Sequence, residues 1–176
     1  MGSIIVTGSS RGIGKAIVDR YLDEEWNVFG ASTTDISTWN DCSKYTHTIL
    51  DLIDYKGAID FWVDSLEKLE KFPQVLVNNA AVFIESPISS SDESWLENWN
   101  KTLSINLTAS SYLAKKVIKI WSDSKVEGIL INISSRAGQR GDTEEFAAYA
   151  ASKAGMMAFV KSIARNYGKQ GITAFS

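Results

Sequence analysis

Cysteine and histidine are almost absent from this chain of 176 residues, which holds one of each, Cys42 and His47. A single thiol has no partner for an internal disulfide, and this favours a reducing compartment. No second metal-binding side chain stands at a ligand spacing from His47, so the pattern predicts a surface histidine rather than a metal ligand. We therefore expect neither a disulfide framework nor a metal site.

Long apolar runs and long basic runs are missing as well. No stretch approaches the roughly 18 apolar residues of a membrane-spanning helix, and no basic segment of a secretion signal follows Met1. The 18 Lys and Arg residues are outnumbered by 21 Asp and Glu residues, which gives no electrostatic basis for holding nucleic acid. The expectation is a cytoplasmic protein that binds neither nucleic acid nor membrane.

Short apolar segments alternate with helical patterns along the chain. Five short segments are predicted as strands, at 4–6, 27–32, 46–50, 75–77 and 129–133, and the first of them is a continuous β-branched run. Helical spacing of apolar residues predicts helices at about 13–22, 59–69, 92–122 and 149–167. Ser90 and Glu93 have the spacing of a capping box at the start of the longest helix.

Strands that are apolar throughout, and that alternate with helices, indicate a parallel sheet buried on both faces. Right-handed crossovers then give a doubly wound α/β fold with helices on both faces. Residues 1–176 form a single domain in this interpretation. Its last segment, 171–176, has the pattern of the beginning of a sixth strand.

A glycine-rich turn at 7–14 lies between the first strand and the first helix. Glycines allow a tight turn and let a pyrophosphate approach the backbone, while the helix N-terminus supplies free N–H groups. The spacing is G-x-x-x-G-x-G, which differs from the commonest dinucleotide fingerprint. The turn predicts six nucleotide-binding residues: Gly8, Ser10, Arg11, Gly12, Ile13 and Gly14.

Five stretches together resemble the short-chain dehydrogenase/reductase family, and within it the 3-oxoacyl-carrier-protein reductase-like group. They occur in the family's order over essentially the whole chain: the turn at 7–14, Asp51-Leu52, Asn78-Asn79-Ala80-Ala81, Ile133-Ser134-Ser135, and Tyr149-Ala150-Ala151-Ser152-Lys153. The resemblance implies a Rossmann-like oxidoreductase that transfers hydride between a nicotinamide cofactor and a small carbonyl or alcohol substrate. Compared with the family, we expect a truncated domain that lacks the last strand and the substrate-covering helices.

The choice of cofactor depends on the end of the second strand. Ser32 and Thr33 stand where the family carries the acid that binds the ribose 2′-OH of NAD. Hydroxyl groups can instead bind a 2′-phosphate by donating hydrogen bonds to it, and Arg11 is placed to pair with that phosphate. NADP(H) is therefore favoured, and NAD(H) is the alternative because Asp35 stands close by in the sequence.

The resemblance implies further cofactor contacts after the third and fourth strands. Asp51 and Leu52 match the adenine-binding pair of the family, and Asn79, Ala80 and Ala81 match its NNAG element. Ala81 replaces the usual glycine and adds one methyl group beside the cofactor.

Tyr149 and Lys153 stand four residues apart, so they share one face of the last helix. An ammonium group beside a phenol favours its ionised form and assists proton transfer. The spacing alone also fits an ordinary amphipathic helix. The resemblance makes Tyr149 the general acid and base, and gives both residues contact with the cofactor.

Two further catalytic residues follow from the resemblance. Ser135, in an S-x-x-G pattern, polarises the substrate carbonyl, with Ser134 as the alternative. Asn106, a poor helix former within the longest helix, holds a water that links Lys153 to solvent.

Two other functions are compatible with the sequence. A cofactor sensor retains the nucleotide site without turnover, and an interaction subunit uses its helices for assembly. The resemblance implies a homodimer through the helices near 92–122 and 149–167. The rim of the substrate pocket is expected to include Phe83, Ile84, Gln139, Arg140 and Phe146.

Overall fold

The computed structural model describes residues 2–36, 38–69 and 72–176. Six strands are found there: β1 (Ser3–Thr7), β2 (Asn27–Ser32), β3 (Tyr45–Ile49), β4 (Val75–Asn78), β5 (Gly128–Asn132) and β6 (Ile172–Phe175). The helices are α1 (Gly12–Asp23), α2 (Tyr55–Glu67), α3 (Asp92–Leu103), α4 (Ser110–Ser124), the short α5 (Ala137–Arg140) and α6 (Ala147–Tyr167). A π-helical segment, Ser104–Ala109, joins α3 to α4.

The six strands form one sheet in the order β3-β2-β1-β4-β5-β6, and every pairing is parallel. The order reverses between β1 and β4, because the chain first adds strands on one side of β1 and then on the other. Ligands bind at such a switch point, outside the carboxyl ends of the strands. The predicted doubly wound, Rossmann-like fold is confirmed.

Successive residues of the central strands point to opposite faces and enter two separate cores. Ile4 and Val6 pack with Val18 of α1 on one face. Ile5 packs on the other face, in a larger cluster with Trp62 of α2, Leu113 of α4 and their neighbours. Both faces are apolar, which explains why these strands show continuous rather than alternating hydrophobicity.

The two faces are unequally covered toward the β6 edge. Ile129 of β5 is 39% exposed and Phe175 of β6 is 54% exposed, whereas Leu130, the residue after Ile129, is buried on the opposite face. Among the residues that the structure describes, no helix combines the length and the hydropathy that a membrane crossing needs.

The longest helix departs from the sequence prediction at two points. Its N-cap is Ser91, whose side chain accepts a hydrogen bond from the Ser94 backbone N–H. The predicted cap, Ser90, instead closes a turn by donating its N–H to the Pro87 carbonyl at 2.9 Å. The predicted continuous helix is also interrupted by the π-helical segment, a feature that commonly occurs at functional sites.

Candidate cofactor and active site

A cavity of about 460 Å³ lies at the switch point between β1 and β4. It receives residues from the glycine-rich turn, from the end of β2, from the segment after β3 and from the segment after β4. Predicted cofactor-binding residues make up much of its wall: Gly8, Ser10, Arg11, Gly12, Ile13, Ser32, Thr33, Asp51, Leu52, Asn79, Ala80 and Ala81.

The glycines of the turn are required by close backbone approach and by positive φ angles. Gly8 has φ +66°, and a Cβ there would lie 2.8 Å from Nδ2 of Asn79 and 2.9 Å from Cα of Ala80. Gly14 is buried behind the turn, where a Cβ would overlap the Gly8 carbonyl oxygen. Gly12 has φ +56° and open space beside it on the cavity side. The turn is therefore tightly packed on its inner side and open toward the cavity.

Thr7, at the end of β1, ties the turn to β4. Its hydroxyl oxygen accepts hydrogen bonds from the backbone N–H groups of Asn79 at 3.0 Å and Ala80 at 3.1 Å. The Asn79 side-chain amide donates in return to the carbonyl oxygens of Thr7 and Gly8, both at 3.0 Å. The role of Asn79 seen here is to hold the turn in shape.

The N-terminus of α1 opens into this cavity. Arg11 is its N-cap and has an extended backbone, without a side-chain cap, and its side chain is exposed with no ion pair among the described residues. Free N–H groups and the positive end of the helix dipole favour an anion at this place. The site fits a pyrophosphate.

At the end of β2 the hydroxyl groups have different surroundings. Ser32 is buried, and its hydroxyl donates to the Thr34 carbonyl at 2.7 Å, so it is not free to donate to a phosphate. Thr33 and Thr34 are exposed and line the cavity. Asp35 does not line it, and its carboxylate accepts the N–H of Ile36 at 2.9 Å.

The segment after β3 contributes one polar and one apolar residue. Asp51 is exposed and accepts the N–H of Ile53 at 2.9 Å. Leu52 is buried against the core below. Together with Leu50 they give the far end of the cavity an apolar floor and an acidic edge.

Lys153 of α6 is almost completely buried, at 2% exposure. Its ammonium donates to the Ile133 carbonyl at 2.8 Å and to Sδ of Met156 at 3.7 Å. Burial lowers the pKa of Lys153 from 10.5 to about 8, because desolvation penalises the charged form. An ammonium has three N–H donors, and one of them has no partner among the described residues.

Tyr149 lies beside this ammonium. Nζ of Lys153 is 5.7 Å from the centroid of the Tyr149 ring, within cation–π range. The ring of Phe83 packs edge-on against Tyr149 at 4.7 Å and stacks on Phe146 at 3.8 Å. No protein hydrogen bond to the Tyr149 hydroxyl is found in the described ranges, so the phenol is fixed at its ring and free at its oxygen.

Asn106 lies in the π-helical segment and is fully buried. Its side chain accepts the N–H of Val82 at 2.8 Å and donates to the Val82 carbonyl at 2.9 Å. It also donates to Oγ of Ser152 at 3.2 Å, and Ser152 donates to the Tyr149 carbonyl at 2.7 Å. Asn106 thus links the cavity wall to the helix that carries Tyr149 and Lys153.

The two candidate serines after β5 have different partners. The Ser135 oxygen accepts the N–H of Ala137 at 3.2 Å, which leaves its proton available to a substrate. The Ser134 oxygen is buried without a hydrogen-bond partner among the described residues. Both line a smaller opening of about 330 Å³ with Gln139 and Met157.

The fold therefore brings the predicted residues into two neighbouring groups. The cofactor residues surround the large cavity, with Gly14 behind the turn, whereas Tyr149 and Lys153 do not line it. Sequence reasoning missed several residues that hold these groups: Thr7, Val82, Ile133, Ser152 and Met156. Of these, Thr7, Ile133 and Ser152 stand inside the family-like stretches of the sequence, and membership of those stretches is the sequence signal that could have found them.

A glycine-rich turn at the switch point of a parallel sheet, beside a buried lysine and a tyrosine on one helix, defines a dinucleotide-binding α/β domain of the oxidoreductase type. The family model of the short chain dehydrogenases matches residues 3–176. The chain belongs to the short-chain dehydrogenase/reductase family.

Among curated proteins, 3beta-hydroxysteroid dehydrogenase 1 of Eggerthella lenta is 28% identical over 97% of this chain and 66% of its own length. The 3-oxoacyl-acyl-carrier-protein reductase FabG of Vibrio cholerae is 31% identical over 96% of this chain and 68% of its own length. The chain thus spans about two thirds of the curated relatives it matches.

Solved structures give the same fold. A 4-hydroxyisoleucine dehydrogenase complexed with NADH and succinate superposes with a TM-score of 0.83 at 30% identity, covering 97% of this chain and 76% of that one. A short chain dehydrogenase from Leptospira borgpetersenii with bound NAD+ superposes with a TM-score of 0.88 at 26% identity, covering 98% and 68%.

Proposed function

We propose that this chain is the cofactor-binding and catalytic part of an NADP(H)-dependent oxidoreductase that interconverts a carbonyl and an alcohol, with Tyr149 as the general acid and base. One observation carries the proposal. A buried ammonium, that of Lys153, is anchored on the Ile133 carbonyl next to a phenol whose hydroxyl has no protein partner among the described residues. Relatives are named as dehydrogenases and reductases of such substrates.

A nicotinamide dinucleotide fits the residues that are present. Gly12 lines the cavity with a positive φ, and a Cβ at this residue would meet no atom within 4 Å. Arg11 and the α1 N-terminus would hold the phosphates, Asp51 and Leu52 the adenine, and Lys153 a ribose hydroxyl. When bound, the nicotinamide supplies or accepts the hydride.

The chain's own residues move and hold the proton. Tyr149 donates its phenol proton to the substrate oxygen in reduction and accepts it in oxidation. Ser135 donates a hydrogen bond to the same oxygen and stabilises its developing charge. Lys153 favours the ionised phenol, and Asn106 completes the proton path to solvent through water.

NADP(H) is our preferred cofactor because of the groups at the end of β2. Thr33 and Thr34 line the cavity there, Arg11 lines it from the glycine-rich turn, and Asp35 does not line it. A carboxylate at the ribose would repel a 2′-phosphate, whereas hydroxyl and guanidinium groups bind it. The position of Asp35 supports NADP(H), because a carboxylate of this residue beside the ribose would favour NAD(H).

The experiment is a fluorescence titration of the chain with NADPH and with NADH, followed by turnover of ketones and β-ketoesters read at the nicotinamide absorbance band. We expect saturable binding, tighter for NADPH, and turnover of at least one carbonyl class. Absence of binding of both nucleotides would overturn the proposal. Tighter binding of NADH would overturn the cofactor preference alone.

A cofactor sensor without turnover is the second candidate. The observation that favours it is the separation of the two groups, since Tyr149 and Lys153 do not line the cavity that the cofactor residues surround. Binding of NADPH without turnover of any carbonyl or alcohol in the panel would select this function.

A homodimer and a cytoplasmic location belong to the same proposal. Trp95 and Trp99 of α3 stack on each other at 4.9 Å and are only half-buried, and Leu96 is 50% exposed, which supports the use of α3 with α6 in assembly. The lone Cys42 supports a reducing compartment. Light scattering coupled to sizing chromatography tests the dimer.

A further inference from the structure

A chain of hydrogen bonds runs beneath the cavity from the glycine-rich turn to the end of β2. Oγ of Ser9, in the turn, lies 3.2 Å from the Tyr45 hydroxyl. The Tyr45 hydroxyl lies 2.9 Å from Nδ1 of His47. Nε2 of His47 lies 3.0 Å from the Thr34 carbonyl and 3.3 Å from Oγ of Ser32. We call this series the Tyr45–His47 relay.

The Thr34 carbonyl, at one end of the relay, determines which group is the donor in the hydrogen bonds that follow. The Thr34 oxygen is a carbonyl and only accepts, so Nε2 of His47 carries a proton. In neutral imidazole Nδ1 is then the acceptor, and the Tyr45 hydroxyl donates to it. Ser9 donates in turn to Tyr45. Burial raises the pKa of the Tyr45 phenol, the Ser9 hydrogen bond opposing this in part, which keeps this donor protonated.

Gly30 of β2 makes the relay possible. A Cβ at Gly30 would overlap the Tyr45 hydroxyl and would lie 2.8 Å from Oγ of Ser9. The missing side chain therefore lets a residue of β3 reach across β2 to the turn after β1. Ser9 is fully buried at the meeting point, where an unpaired hydroxyl would be costly.

The other end of the relay fixes the segment that faces the ribose. The Thr34 carbonyl accepts from both His47 and Ser32, which uses both of its lone pairs. Thr33 is the residue between the two anchored positions, and its side chain lines the cavity. His47 is thus a half-buried structural partner of the cavity wall.

We infer that His47 and Tyr45 are positioning residues that set the preference of the cavity for the substituent on C2′ of the adenosine ribose, by holding Ser32–Thr34 in the shape that receives a 2′-phosphate. The inference rests on the proposed NADP(H) site. A phosphate needs several converging donors, whereas a hydroxyl needs one, so a loosened segment weakens the phosphorylated ligand more.

The test compares two ligands that differ only in the 2′-phosphate, adenosine 2′,5′-bisphosphate and 5′-AMP, by calorimetry. The readout is the ratio of the two Kd values, which a general loss of stability does not move. Wild type is expected to prefer the bisphosphate. His47→Leu and Tyr45→Phe are each expected to reduce that preference about tenfold, because each breaks the relay that holds Ser32–Thr34.

Two variants sharpen the comparison. His47→Gln retains an amide N–H for the Thr34 carbonyl and is expected to restore most of the preference. Thr46→Ala, on the opposite face of β3, is the matched control and is expected to leave the ratio unchanged. An unchanged ratio in His47→Leu, or equal weakening of both ligands, would overturn the inference. If the His47→Leu ratio shifts but no carbonyl is turned over, the oxidoreductase proposal fails and the relay is supported.

Discussion

The ammonium of Lys153 donates a 2.8 Å hydrogen bond to the backbone carbonyl of Ile133, the residue that follows β5. This bond joins the helix that carries Tyr149 to the strand end that carries Ser135. A charge held at 2% exposure is expensive unless it is paired, and here its partners are one carbonyl and one thioether. The site therefore keeps a destabilised ammonium in the place where the proposed chemistry needs one.

The first prediction concerns the cost of that burial. The pKa of Lys153 is lowered in the folded chain from 10.5 to about 8, so the unfolded chain binds more protons between these values. The free energy of unfolding of the wild type should rise with pH across that window. The cost of burying the charged ammonium is complete below pH 8 and is relieved toward pH 10.5. Lys153→Met removes the titrating group. Its free energy of unfolding, relative to wild type, should fall by up to about 3 kcal/mol between pH 7 and pH 10.

Urea unfolding at several pH values measures this difference. Loss of the hydrogen bond to Ile133 shifts the difference in free energy of unfolding by a constant and does not change the slope of that difference against pH. Lys161→Met, an exposed position on the same helix, is the control and should show no such slope. A Lys153→Met difference that is constant from pH 7 to pH 10 contradicts the buried-ammonium account.

The second prediction separates chemistry from folding at Tyr149. Tyr149→Phe removes a hydroxyl without a protein partner in the described ranges, while the ring contacts to Phe83 remain. The free energy of unfolding should change by less than about 0.5 kcal/mol, and NADPH should bind as in wild type. Turnover should fall by a factor of roughly a hundred or more.

Steady-state rates and a cofactor titration on the same sample measure this. Tyr21→Phe, on α1 and outside the site, is the matched control for loss of a phenol oxygen. Wild-type turnover in Tyr149→Phe would remove this residue from the proton transfer.

The parallel sheet and the glycine-rich turn could be predicted because their signals are local. Each buried strand is apolar over consecutive residues, and the turn needs glycine at fixed positions. The turn glycines, including Gly8 and Gly12, were therefore found from the sequence, and the cavity they border was expected at this edge of the sheet.

The supporting contacts could not be predicted because they depend on pairs distant in sequence. The Tyr45–His47 relay requires the absence of a side chain at Gly30 on another strand. The Lys153 bond ends on a backbone carbonyl, which has no sequence signature. The helix cap was misplaced by one residue because Ser90 and Ser91 have the same capping chemistry, and only the turn to Pro87 distinguishes them.

The third prediction decides between the two serines after β5. Ser135→Ala removes a hydroxyl whose proton is available to substrate, and kcat should fall roughly a hundredfold. Ser134→Ala removes a buried oxygen that has no partner among the described residues. It should leave kcat within about threefold and keep or raise the free energy of unfolding.

Parallel kinetics and urea unfolding of the two variants supply the measurement. The hydrogen bond from Ala137 to Ser135 is also lost in the first variant, so its stability is compared as well. The assignment is reversed if Ser134→Ala is the variant that loses turnover while Ser135→Ala retains it.

The last prediction uses two glycines that both lie within helices. Gly14→Ala in α1 places a methyl group where it overlaps the Gly8 carbonyl and lies 2.5 Å from Nδ2 of Asn79. These are backbone and anchored amide atoms, so the turn itself must shift. We expect a loss of about 1–3 kcal/mol in the free energy of unfolding and at least tenfold weaker NADPH binding.

Gly57→Ala in α2 is the matched control. A Cβ there meets no atom within 4 Å, and Gly57 is exposed. Only the difference in helix propensity then acts, and the free energy of unfolding should rise by up to about 1 kcal/mol. Its NADPH affinity should equal that of wild type, because α2 packs on the face of the sheet opposite α1. Denaturant unfolding and NADPH titration of both variants make the comparison. Equal affinities in Gly14→Ala and Gly57→Ala would mean that the close packing of the turn does not control nucleotide binding.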